Sequence, residues 1–291
     1  MYYKETSENT CEKGHGTARE QSGRRESDAS GGVQNGSTCG WDNNTLHYTI
    51  NREKITGTPG ISSRTDGRDT NQERSISVAA GNEGMLLRKY LALGKNIFYS
   101  SAAMIYCAVE IKRPQQEKPK QGILTIHCNE KYIQQELDKI FNRSKILPLE
   151  TLSIIPKVAV ISIKLDISVF HDKGGILEIL TEGIYKTLMG ITVEEEIYHQ
   201  NKPHRISKSI KDLVQFYPTT VSCAVVNGNC LYDPTEEESQ AASARMVITH
   251  TKNIGGETNK DRTGDILYWS FSGSMRYRDL QSTLKDALCI K

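Results

Sequence analysis

No stretch of the 291-residue chain reaches the roughly 18 consecutive apolar residues that a membrane-spanning helix requires. The first residues, MYYKETSENTCEKGHG, also lack the apolar centre of a secretory signal. Aromatic residues make up only 7% and mean hydropathy is -0.51, so the expectation is a soluble chain carrying a polar segment, with no membrane partner. A surplus of one charge is missing too. Lys plus Arg number 37 against 35 Asp plus Glu, a net +2, which argues against a polybasic protein that coats nucleic acid indiscriminately and leaves room for local basic patches. The seven cysteines contain no C-x-x-C pair. Cys107, Cys128 and Cys223 sit in apolar runs and read as reduced core thiols of a cytosolic or nuclear protein. Cys11, His15 and Cys39 do not complete a four-ligand zinc spacing, so no metal or other cofactor is expected. Without a secretory signal, the glycosylation patterns at Asn35 and Asn142 carry no meaning.

What is present divides in two. Residues 1–60 are rich in Gly, Ser, Thr, Asn, Glu and Arg and almost empty of aliphatics. A segment such as SGRRESDASGGVQNGSTCG cannot bury enough apolar area to offset its ordering entropy, and reads as a flexible polar tail. TLHYTI, Thr45 to Ile50, alternates like a short strand. Residues 61–291 carry the pattern of one folded α/β domain of the α+β kind, with mixed sheets and packed helices. MLLRKYLALG and NIFYSSAAMIYCAVEI, broken at Gly94, read as a hairpin, and GILTIHC as a third strand. KYIQQELDKIF places Ile133, Leu137, Ile140 and Phe141 on one helical face. In VAVISIKLDISVF, Ala159, Ile161, Ile163, Leu165, Ile167 and Val169 point one way, and Ser162, Lys164, Asp166 and Ser168 the other. ILEILTEGIYKTLMG follows the turn at Asp172 as a core helix. TTVSCAVV and GNCLYD form a hairpin turned at Asn227-Gly228. ARMVITHT and DILYWSFSG are two more strands. A last helix, capped by Ser274, should bury Leu280, Leu284 and Leu288. Hairpins alternating with helices do not fit a doubly wound parallel sheet.

With SRTDGRDTNQERSISV at its head (Arg64, Asp66, Gly67, Arg68, then Arg74), this element order resembles the RNase PH family. The LALG turn at Gly94, AVEIKRPQQEKPKQG, LSIIPKVAVISIKLDISVFHDKGGILEI and YDPTEEESQAASARMVIT resemble successive family segments over residues 61–291. Within the family, RTDGR and EKPKQG are most similar to the exosome ring subunits of the forty-two type, with the forty-three and forty-five types open. The D-P-T-x-E-E-E segment is one residue short here, and the tail is unusually long. The resemblance implies the RNase PH-like fold of the ribosomal protein S5 domain 2-like type. It also implies partners: other RNase PH-type ring subunits, S1- or KH-type cap proteins, an associated hydrolytic nuclease and single-stranded RNA. It implies a role in 3′-to-5′ RNA processing and decay, including ribosomal RNA maturation, in nucleus, nucleolus and cytoplasm.

Active members use phosphate to cleave RNA from its 3′ end, which needs a cationic phosphate site and an acid near the leaving oxygen. The family supplies the first with a G-T-R or G-S-R triplet after an Asp-Gly-Gly turn. Here Asp172-Lys-Gly-Gly is followed by Ile176, Leu177 and Glu178, and Glu178 should repel the attacking anion. The family's D-x-D pair reads Ser243-Ala-Arg245, with Arg245 in the place of the catalytic acid. The chain therefore resembles an inactive homologue with no catalytic residue of its own. The alternative is an active phosphorolytic exoribonuclease through a composite site shared with a partner.

Glu236, Glu237 and Glu238 read as a solvated helical or turn segment, Glu194 to Glu196 as a solvated loop or helix start, and His127 and His171 as satisfied or surface histidines. The candidate RNA contacts are Lys112, Arg113, Lys118 and Lys120, in a loop that lies near the pore neck in RNA-handling relatives. An ordinary exposed loop is the competing reading. A third class, a small-molecule kinase relative, would need a phosphate loop between a strand and a helix. GGETNKDRTG lies between two strands instead.

Overall fold

The computed structural model describes residues 64, 68, 73–81, 84–93, 95–200, 202–252 and 264–289. The tail read over residues 1–60, with TLHYTI, and most of GGETNKDRTG lie outside them. Among the described residues, three sheets and four α-helices form the body, the third sheet being a two-stranded hairpin. The first sheet holds β1 (Ser75–Gly81), β2 (Gly84–Leu93), β3 (Asn96–Lys112), β4 (Ile123–Cys128), β5 (Ser153–Ile155) and β6 (Ala159–Asp172). Its order is β1-β2-β3-β6-β4, with β5 also paired to β6, and only the β4–β6 pair is parallel. The second sheet holds β9 (Tyr217–Val226), β10 (Asn229–Tyr232), β11 (Ala244–Lys252) and β12 (Ile266–Gly273), all antiparallel, in the order β10-β9-β11-β12.

Period-two burial fixes the register of these strands. In β6, Ile161, Ile163, Leu165 and Ile167 face the core while Lys164 is exposed. In β2 the inward set is Met85, Leu87, Lys89 and Leu91, so a lysine occupies a core position. The β9–β10 hairpin turns at Asn227 and Gly228, with φ of 51° and 79°, the left-handed values that a two-residue turn of this hand requires.

Helix α1 (Lys131–Asn142) buries Ile133, Leu137, Ile140 and Phe141, the face its spacing predicts. Helix α2 (Ile176–Met189) is apolar almost all round because it contacts β2 and β3 of one sheet and β9 of the other. The short α3 (Glu236–Ala241) follows β10. Helix α4 (Tyr277–Cys289) lays Leu280, Leu284 and Ala287 on a smaller cluster formed by Val221, Cys223, Met246 and Ile248.

Two expectations are corrected. The last helix begins at Tyr277, three residues after Ser274, and Arg276 pairs with Asp279 across its first turn at 2.7 Å. Glu194 to Glu196 form neither a loop nor a helix start. They lie in β7 (Thr192–His199), paired antiparallel with β8 (Lys202–Ser209). The strand forms because Val193 is buried and Ile197 packs on the core cluster, while Glu194 and Glu196 take the outer face with Glu196 opposite Arg205.

Candidate functional site

The three arginines at the head of the domain converge on the segment between β10 and α3. Asp233 follows β10 directly, with φ of 52°, a left-handed conformation that Asp tolerates better than most residues. Its carboxylate accepts from Arg68 Nη1 at 2.9 Å, from Arg74 Nη2 at 2.5 Å and Nε at 3.0 Å, and from the Arg74 backbone N–H at 2.9 Å. Lys89 Nζ lies 2.7 Å from the same carboxylate and also bonds Glu178 Oε2. The Asp233 carbonyl accepts from Arg64 Nη2 at 2.8 Å and Arg68 Nη2 at 2.9 Å. Burial alone would raise the Asp233 carboxyl pKa, but Lys89, Arg74 and Arg68 outweigh it and hold the group far below the usual carboxylate range.

Glu238 is the second anchor. Thr235 caps α3 by accepting from the Glu238 N–H at 3.2 Å, and Glu238 Oε2 accepts from the Thr235 N–H at 2.9 Å. This reciprocal capping box turns the Glu238 carboxylate inward. Arg64 then grips it with two prongs, Nη2 at 2.6 Å and Nε at 3.1 Å. Glu238 is 4% exposed, so the reading of the glutamate run as solvated is wrong for this residue. It holds for Glu237, which is exposed, while Glu236 pairs with exposed Lys173 at 2.9 Å. The departure in the D-P-T-x-E-E-E segment leaves the Thr-x-x-Glu spacing of the cap intact.

The turn before α2 is locked onto the same centre. Gly174 and Gly175 have φ of 97° and 75°. A Cβ at Gly174 would sit 2.4 Å from the Pro234 carbonyl oxygen. The Lys173 carbonyl accepts from Arg74 Nη1 at 3.0 Å and from the Glu236 N–H at 3.2 Å. Asp172 Oδ1 accepts from the Gly174 N–H at 2.8 Å.

The positions expected to be degenerate fall as follows. Ile176 and Leu177 are buried in the main core. Glu178 is buried as well. It bonds Lys89 and accepts from the Ser222 N–H at 2.9 Å, so its charge does not face an incoming anion as expected. Ser243 precedes β11 and donates to the Val225 carbonyl at 3.2 Å. Arg245 is exposed on β11, close enough to the Tyr132 phenol to oppose the rise in pKa that burial, Glu136 and Asp172 produce there. Neither Ser243 nor Arg245 supplies a carboxylate. Among the described residues no group of three His, Cys, Asp or Glu side chains is placed to hold a metal ion. His127 and His171 are exposed.

Of the candidate RNA contacts, Lys112 ends β3 and pairs with Glu110 at 2.6 Å, both half-exposed. Arg113, Lys118 and Lys120 are exposed on the following loop, which is tied down by the Lys157 N–H donating to the Pro119 carbonyl at 2.8 Å. The residues that organise the centre were not all foreseen. Lys89 was legible as a charge in the inward register of an otherwise apolar strand. Asp233 has no comparable signal, since its partners lie 144 (Lys89) to 169 (Arg64) positions away.

Residues 217–257 match the family described as "3' exoribonuclease family, domain 2". The chain is 24% identical over 228 residues to "Exosome complex component Rrp42" of Thermococcus onnurineus (strain NA1), covering 70% of this chain and 81% of that protein. It is similar in structure to the "Archaeal exosome core" (TM-score 0.58, 18% identity, 78% of this chain and 87% of that one). A similar likeness holds to the Archaeoglobus fulgidus exosome with RNA bound to the active site (TM-score 0.56, 17% identity, 78% and 90%). Rice (Oryza sativa) Rrp46 is a third (TM-score 0.51, 14% identity, 78% and 93%). The mixed sheets, the four helices and these likenesses together show that the chain has the RNase PH-like fold.

Proposed function

We propose that this protein is a ring subunit of an exosome-type assembly, acting in 3′-to-5′ RNA processing through its neighbours and without phosphorolytic chemistry of its own. The observation that carries the reading is the fate of the charged groups. Asp233, Glu178 and Glu238 are saturated by buried cations and backbone donors, and the two positions that should supply an acid hold Ser243 and Arg245. A carboxylate that accepts from several cations has little basicity left, so it serves as a clamp and not as a general acid or base. The first turn of α2 presents Ile176 and Leu177 to the core, where a phosphate site requires donors.

The similarity to exosome components supports RNase PH-type siblings and RNA as partners, while cap proteins and a hydrolytic nuclease rest on the sequence resemblance alone. Identity as the forty-two type, ribosomal RNA maturation and a nuclear, nucleolar and cytoplasmic distribution belong to the same proposal and rest on the resemblance alone. The test incubates the purified chain with end-labelled single-stranded RNA, inorganic phosphate and magnesium. No nucleoside diphosphate should be released, whereas phosphate-dependent release by the isolated chain overturns the inactive assignment. Release only after reconstitution with sibling subunits, lost when Arg245 is replaced by Ala, would establish the composite-site alternative.

A further inference from the structure

The end of the β2–β3 hairpin carries an apolar surface that stays exposed among the described residues. Ile97, Phe98 and Tyr99 are consecutive and 54%, 54% and 52% exposed. Side chains of adjacent strand residues point to opposite faces, so the hairpin end is apolar on both. At its base lies a cleft of about 300 Å³, walled by Leu91, Phe98 and Tyr99 and rimmed by Lys173, Glu236 and Glu237. That volume is at the bottom of the roughly 300–1,000 Å³ range of small-molecule sites. It suits a large side chain better than a cofactor.

The charge on the rim selects the occupant. Lys173 already pairs with Glu236, and the Arg74 guanidinium is spent on the Asp233 carboxylate and the Lys173 and Pro234 carbonyls. Glu237 is exposed and makes no salt bridge among the described residues. A phosphodiester backbone would meet carboxylates here, so RNA is disfavoured. A protein segment offering an apolar side chain beside a Lys or Arg would fill the cleft and meet the Glu237 carboxylate. Buried aromatic anchors with a charged rim are the usual composition of such contacts.

We infer that this hairpin end and cleft form the seat of a neighbouring RNase PH-type subunit, which inserts a large apolar residue flanked by a basic one. The inference rests on the ring reading above and adds to it which surface makes the contact. The rim makes the contact sensitive to charge, and the cleft makes it sensitive to the size and polarity of residue 98.

The experiment reconstitutes the full chain with purified RNase PH-type subunits from the same organism and measures assembly by sedimentation velocity. Phe98→Asp and Glu237→Arg are the test variants, and Tyr198→Asp, on the outer face of the β7–β8 hairpin, is the control. Thermal melts establish that each variant is folded. Assembly should weaken on the order of 10- to 100-fold for Phe98→Asp and by a smaller, salt-dependent factor for Glu237→Arg, with the control unchanged. If the wild-type chain assembles with none of its siblings, the ring reading falls and this inference with it. If it assembles and both variants assemble equally well, the surface is wrong while the ring reading stands. Hydroxyl-radical footprinting that protects Phe98 and Tyr99 equally in the isolated chain and in the ring would overturn the inference, because the chain would then cover the cleft itself. Loss of binding of a fluorescent oligouridylate to the isolated chain on Phe98→Asp would also overturn it, in favour of an RNA contact.

Discussion

Replacing Asp233 by Asn removes one negative charge from a place where three buried cations meet. Arg68 is 0% exposed and Lys89 1%. Each cation keeps some acceptors in the variant: Arg74 retains the Lys173 and Pro234 carbonyls, Lys89 retains Glu178, and Arg68 retains the Asp233 backbone carbonyl. The new amide, however, turns two donors toward guanidinium and ammonium donors. Deleting one partner of a buried ion pair costs about 3–5 kcal/mol, since the remaining charge is stranded. With residual acceptors offsetting part of a three-fold loss, about 4 kcal/mol is expected. In a domain of this size each kcal/mol moves the melting temperature by roughly 2–4 °C, so Asp233→Asn should lower it by roughly 8–16 °C. Glu237→Gln, an exposed change on the same segment, should stay within about 2 °C.

The pH dependence gives the same reasoning a second test. The folded pKa of Asp233 lies far below its unfolded value, so the unfolded chain takes up the proton first. The stabilisation is complete above about pH 4 and is lost as pH falls further toward the folded pKa. Asp233→Asn has no such component. The gap between wild type and variant should therefore close by about 1.4 kcal/mol for each pH unit below about 4. Thermal melts followed by circular dichroism between pH 3 and pH 7 measure both effects. A variant that melts within about 2 °C of wild type at pH 7, or a gap that stays constant down to pH 3, refutes the clamp.

Three further outcomes follow from the same geometry. Thr235→Ala removes the cap that orients Glu238 toward Arg64, and should destabilise by about 1–2 kcal/mol in urea titration; a midpoint equal to wild type would show that Arg64 alone holds Glu238. Gly174→Ala forces a Cβ against the Pro234 carbonyl at φ of 97°, and should cost about 1–3 kcal/mol, an effect that an unchanged melting curve would dismiss. Charge reversal at Lys112, Arg113, Lys118 and Lys120 should weaken RNA binding by the reconstituted ring and flatten its salt dependence by about 0.7 per lost phosphate contact; unchanged affinity and slope would discard the loop and leave the ring reading in place.

The fold was legible wherever local pattern and tertiary burial coincide. The β6 alternation, the α1 stripe and the Asn227-Gly228 turn each carry their signal within a dozen residues. The β7–β8 hairpin was obscured because three adjacent glutamates look like solvent, and the strand declares itself only through Val193 and Ile197 on its inner face. The start of α4 was misplaced because Ser274 is a good capping residue in sequence, yet the Ser274 N–H is held by the Ser243 carbonyl at 2.9 Å, which keeps that residue in the strand-end connection. The ionic centre was the least legible part. Its members come from five places in the chain, and no spacing rule links them.

A run of carboxylates marks where charge is, not where it goes. Residues 236, 237 and 238 are chemically identical and occupy the first turn of one short helix, each rotated about 100° from the last. Helical rotation therefore sends them to three different environments. Glu238, at the third helical position, is the one that a capping threonine can reach, and the cap aims it at Arg64. Glu236 meets Lys173 at the surface, and Glu237 meets solvent at the edge of the apolar cleft. The same argument separates Asp233 from a catalytic acid. An acid that transfers protons needs a pKa near the working pH and an open side facing substrate. Asp233 has neither, because Arg68, Arg74 and Lys89 surround it on every side that the backbone leaves free. What resembles an active-site carboxylate in the sequence is the keystone that ties the arginines at the head of the domain to the turn before α2.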